Sequence, residues 1–63
     1  MIEDIGNRLR IAREAKGLTQ EGVANQLRIA RTTLVAIEGG QRAVRPAELV
    51  EFASLYGTTV NAL

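Results

Sequence analysis

The side chains able to do chemistry in this 63-residue chain are arginines, carboxylates, threonines and glutamines, because it has no cysteine and no histidine. That excludes disulfides, thiol nucleophiles, imidazole bases and nearly every zinc site. Carboxylates alone could hold a metal, but the acidic residues are scattered and form no dense cluster. No nucleophile–base pair or phosphate-loop spacing is present, and Gly39-Gly40 reads as a helix stop. The chain is therefore not expected to be an enzyme, and no cofactor is expected. What remains is arginine, whose planar fork donates two parallel hydrogen bonds to a phosphate or to the edge of guanine. The net charge is only +1, but it is unevenly placed. Residues 1–26 are balanced. Residues 27–47 carry Arg28, Arg31, Arg42 and Arg45 against Glu38 alone, and residues 48–63 carry only Glu48 and Glu51. A basic middle third suits an anionic partner; a solvated surface with uneven charge is the plainer reading.

These arginines must be held by short helices. Sixty-three residues with a hydrophobic fraction of 46% make one small domain with room for a core but not for a deep pocket. No apolar run is long enough to span a bilayer. The acidic start Met1-Ile2-Glu3-Asp4 lacks a signal peptide's apolar stretch. The expectation is a soluble domain of a reducing, cytoplasmic compartment, or part of a larger chain.

A first helix is expected from about Asp4 to Lys16, with Ile5, Leu9 and Ala12 on one face and Gly17 as its stop. Thr19 is placed to cap a second helix through its hydroxyl. Gly22 stands where a capping box would put Glu or Gln, so that cap is incomplete. Val23, Ala24 and Leu27 give the apolar face. Arg28-Ile29-Ala30 makes a tight turn without glycine. A third helix follows from Arg31 to about Glu38, with Leu34, Ile37 and Glu38 on one side and Thr32, Val35 and Ala36 on the other. Its β-branched residues are poor helix formers, which suggests a helix kept for its outer face. Gln41 to Arg45 is a loop. Pro46 fits the first turn of a fourth helix buried through Leu49, Phe52, Ala53 and Tyr56. Thr59 is placed to cap a last helix beginning at Val60, which the end of the sequence would truncate.

Two short helices joined by a brief turn, Thr19 to Glu38, form a helix-turn-helix pattern. The stretch Leu9-Arg10-Ile11-Ala12-Arg13-Glu14-Ala15-Lys16-Gly17-Leu18-Thr19-Gln20-Glu21 resembles the opening of lambda-repressor-like (Cro/XRE) helix-turn-helix domains. Ala24, Leu27, Thr33, Leu34, Ile37, Glu38, Gly40 and Pro46 continue the register, and Leu49, Ala53, Tyr56, Gly57 and Val60 complete it. The resemblance covers about residues 5 to 63. It implies an all-α, compact five-helix bundle whose third helix enters the major groove of double-stranded DNA. It also implies a homodimer reading a pseudo-palindromic operator, with half-sites about 34 Å apart.

The resemblance assigns roles residue by residue. Arg31, Thr32 and Ala36 match positions that reach base edges, with Val35 beside them. Gln20 matches a glutamine that hydrogen-bonds a phosphate at a helix N-terminus. Gln41, Arg42 and Arg45 in the loop, and Arg10 more weakly, are read as phosphate contacts. Arg13 and Glu38 match a structural ion pair that orients the third helix. For Arg31 a phosphate contact stays open beside a guanine contact. For Val35 and Ala36, packing on thymine methyls stays open beside simple tolerance of small residues.

Four features depart from the family pattern. Ala30 stands at a cap position usually held by serine or threonine. Arg28 stands where glycine usually turns the chain. Val35 and Ala36 are apolar where many relatives carry polar readers. The loop before Pro46 is about two residues longer than the commonest form, which resembles relatives followed by a zinc-peptidase-like domain. Two functions are therefore carried forward. One is a transcriptional regulator, in the first instance a repressor, acting at the nucleoid. The other is a protein-interaction module that uses the outer face or a surface of Ile11, Val50 and Leu55 to bind a toxin-like partner or the rest of its own chain.

Overall fold

The computed structural model describes residues 4–63. Met1, Ile2 and Glu3 of the acidic start lie outside the described residues. Four α-helices follow in order: α1 Ile5–Ala15, α2 Gln20–Leu27, α3 Arg31–Glu38 and α4 Pro46–Tyr56. The expected fifth helix is instead a single 3-10 turn, Val60–Ala62. Its bonds run from Ala62 N to the Thr59 carbonyl and from Leu63 N to the Val60 carbonyl, the three-residue closure of a turn.

Three side-chain caps form, those of Thr19 and Thr59 as expected and that of Asp4 in addition. Asp4 Oδ1 accepts from Gly6 N at 3.0 Å, Thr19 Oγ1 from Gly22 N at 3.0 Å, and Thr59 Oγ1 from Ala62 N at 3.2 Å. Ala30 supplies no side-chain acceptor to the start of α3.

All four helices end by the same device. The last carbonyls accept from Leu18 N, Ile29 N, Gln41 N and Thr58 N in a six-to-one closure, with the preceding residue in left-handed conformation. That residue is glycine at 17, 40 and 57. In the helix-turn-helix it is Arg28, at φ 57°, the one non-glycine with positive φ among the described residues. A side chain with a Cβ is strained in that conformation, where glycine would not be.

The core gathers Leu9 of α1, Val23 of α2, Leu34 and Ile37 of α3, and Phe52, Ala53 and Tyr56 of α4, closed by Leu63. Phe52 and Tyr56 stack with tilted rings, centroids 5.8 Å apart. Helix α3 packs on both α1 and α2, so the helix of lowest intrinsic propensity is the most surrounded. One contact was not foreseen. A Cβ at Gly6 would lie 2.2 Å from the Ile37 carbonyl oxygen, so only glycine lets the first turn of α1 reach the end of α3.

Ile11, Val50 and Leu55 do not form one patch. Ile11, 52% exposed, lines a groove with Ala12, Tyr56 and Leu63, whereas Val50 and Leu55 line another with Leu27. Leu55 is half-buried against the core.

Candidate nucleic-acid interface

The outward face of α3 carries the four residues read as base contacts. Arg31, Thr32 and Val35 are exposed and Ala36 is half-buried, while Leu34, Ile37 and Glu38 face inward. This follows from helical period: 31, 32, 35 and 36 fall on one side of the wheel, and 34, 37 and 38 on the other. Arg31 also borders a cleft with Thr19, Gln20 and Glu21 at the N-terminus of α2. The positive end of the α2 dipole and the Arg31 guanidinium converge there, beside the Glu21 carboxylate and with the Gly22 N–H already taken by Thr19.

Behind that face the predicted ion pair is present and buried. Arg13 Nε donates to Glu38 Oε2 at 2.8 Å and Nη2 to Oε1 at 3.2 Å, a two-pronged contact between α1 and the last residue of α3. Arg13 Nη1 donates to the Leu18 carbonyl at 2.8 Å, which ties the same guanidinium to the chain entering α2. Gln20 Nε2 donates to Glu38 Oε1 at 3.0 Å. Three helices thus meet on one carboxylate. The hydrogen bond to Glu38, followed by its charge, raises the Arg13 pKa above its ordinary value despite burial. The Tyr56 hydroxyl is buried and has no hydrogen-bond partner. Burial, and then the Glu38 carboxylate, push its pKa up to about 12.

Gln20, read from sequence as a phosphate ligand, therefore spends one amide N–H inside the protein and keeps a second donor and an acceptor. No spacing in the sequence signals this bond.

The loop arginines differ from each other. Arg42 is held by Glu48 through two bonds, Nη1 to Oε1 at 3.0 Å and Nη2 to Oε2 at 2.8 Å, and Nη1 also donates to the Ala43 carbonyl. Arg45 is exposed and caps α4 only through its backbone, its N–H donating to Glu48 Oε1 at 2.9 Å. Gln41, four residues earlier in the loop, is also exposed. Arg10 is engaged on its own helix, with Glu14 Oε1 at 2.9 Å and Asn7 Oδ1 at 2.7 Å. Glu48 went unread as a functional residue, although an acid at the third position of a helix opened by Arg45-Pro46 is half of a capping box. The Glu48 carboxyl is held down to about 2, first by Arg42 and then by the Arg45 backbone.

Pairing reshapes the basic middle third. Glu38 is neutralised from α1 and Arg42 from α4. Among the described residues Arg28, Arg31 and Arg45 have no carboxylate partner. These three stand in the turn, on α3 and in the loop after it. No cluster of His, Cys, Asp or Glu able to hold a metal occurs among the described residues, and no helix there is long and apolar enough to cross a membrane.

Two short helices, α2 and α3, joined by the brief turn at Arg28 to Ala30 and tied through one buried carboxylate to α1, form a helix-turn-helix. A family model described as a helix-turn-helix domain matches residues 4–63, and the chain belongs to that family, consistent with its Cro/XRE type. No curated protein matches the chain significantly.

Proposed function

We propose that this chain is a sequence-specific double-stranded DNA-binding domain of a transcriptional regulator, a repressor, that places α3 in the major groove. Arg31, Thr32, Val35 and Ala36 read base edges. Gln20, Gln41 and Arg45 hold phosphates. Two copies act as a homodimer on a pseudo-palindromic operator in the cytoplasm. The observation that carries this reading is the outward face of α3, held by the Arg13–Glu38–Gln20 network and flanked by unpaired arginines. Few polar readers stand on that face, so groove width and DNA flexibility contribute to selectivity.

The test is selection from random DNA at low salt, followed by titration of the enriched site at rising salt. An enriched, roughly palindromic site is expected, with Arg31→Ala losing about 1–3 kcal/mol on that site and less on unrelated sequence. Equal loss on every sequence would make Arg31 a phosphate contact. The protein-interaction reading draws on a specific observation, the exposed Ile11 over its apolar groove. It would be preferred if selection enriched nothing and binding vanished at moderate salt.

A further inference from the structure

The loop from Gly39 to Arg45 is tied down at three places. Its first end is held where Gln41 N and Arg42 N both donate to the Ala36 carbonyl, at 2.9 and 3.3 Å. Its middle is held by Val44, which packs against the core. Its last part is held by one side chain, Glu48, which grips the Arg42 guanidinium with both oxygens and the Arg45 N–H with one of them. The Arg42–Glu48 contact is partly covered, with side chains 31% and 21% exposed. A salt bridge that merely decorated the surface would not also hold the backbone of Arg45, the residue directly before the helix start.

We propose that Glu48 is a positioning residue for DNA binding: it uses Arg42 as a strap to set the loop, and so delivers the unpaired Arg45 to a phosphate, while Arg42 itself touches no DNA. This rests on the DNA-binding reading above. Two donors of Arg42 are satisfied by a carboxylate inside the protein. Moving them to a phosphate exchanges one charged hydrogen-bonding partner for another and also frees the loop, so the net gain is small. Arg45 loses no internal ion pair when it meets a phosphate.

The experiment measures binding to a labelled random-sequence duplex over a range of salt, because phosphate contacts are independent of sequence. The proteins are the wild type, Glu48→Gln, Arg42→Met, Arg45→Ala and the double variants Glu48→Gln/Arg45→Ala and Arg42→Met/Arg45→Ala. Thermal melting of each first sets a temperature at which all are folded. Each single variant is expected to bind severalfold more weakly, with a salt slope smaller by about one. Each double variant is expected to behave like Arg45→Ala alone, because strap and contact act in series. A slope smaller by about two in Arg42→Met/Arg45→Ala would make Arg42 a phosphate ligand in its own right and overturn the proposal. So would tighter binding and a steeper slope in Glu48→Gln, which would mean that Glu48 masks Arg42. Lower melting temperatures with unchanged binding would reduce Glu48 to a structural residue. A wild type that binds no duplex at low salt would overturn the DNA-binding reading itself, a result distinct from any difference among the variants.

Discussion

At the scale of single residues, Glu38 carries more than any other side chain. It accepts from Arg13 twice and from Gln20 once, almost wholly out of water. Removing one partner of a buried pair leaves the other charged and desolvated. Glu38→Ala is expected to cost about 3–5 kcal/mol, close to the whole stability of a domain this small. Denaturant unfolding would show it, and replacing both partners by apolar residues of similar size should restore much of the loss. Tyr56 makes the opposite case. Its buried hydroxyl bonds nothing, so Tyr56→Phe should stabilise the fold by about 1 kcal/mol. The sign of the pH effect follows from the raised pKa. The unfolded chain releases this proton from about pH 10, whereas the folded chain holds it until about 12. Stability from this group is therefore intact below pH 10 and falls between 10 and 12. The difference in melting temperature between Tyr56→Phe and wild type should widen across that interval; a constant difference would refute the assignment.

At the scale of elements, the helix-turn-helix is built with two local defects that its surroundings override. Helix α3 begins at an alanine without an acceptor, and the turn before it holds an arginine in left-handed conformation. Both were legible in the sequence, because cap chemistry and positive φ belong to single positions. Ala30 already has extended backbone, at φ −68° and ψ 145°. Ala30→Ser should therefore gain about 1 kcal/mol. That gain would raise the melting temperature by about 4–8 °C. No increase would mean that the start of α3 is satisfied in another way. The fit of α1 against α3 at Gly6 was not legible. A glycine in a first turn has no pattern of its own, and its reason is a carbonyl 31 residues away, that of Ile37.

At the scale of the whole molecule, the decisive quantity is which charges stay unpaired. Net charge says almost nothing. The folded chain neutralises Arg10, Arg13 and Arg42 internally and leaves Arg28, Arg31 and Arg45 without partners among the described residues. If each meets one phosphate, binding of a single domain should weaken with a log–log salt slope of about −3. A slope near −5 would mean that further cations, such as Lys16 or an Arg10 or Arg42 released from its carboxylate, also reach phosphates. Titration of binding against salt decides between the two.

Helices α1 to α4 and their stops, the Thr19 and Thr59 caps, the outward face of α3 and the Arg13–Glu38 pair were legible in the sequence. Each of these depends on residues close in the chain, on helical period, or on a family register that runs nearly end to end. The tertiary structure decided the rest. It has a single 3-10 turn, Val60–Ala62, in place of the fifth helix. It drew Gln20 onto Glu38, strapped Arg42 to Glu48 and separated Ile11 from Val50. Composition counts every arginine alike. Arg10 meets Glu14 by helical spacing alone, but whether Arg42 is free depends on a carboxylate that folding brings within hydrogen-bond distance across a loop, and no local pattern encodes that distance.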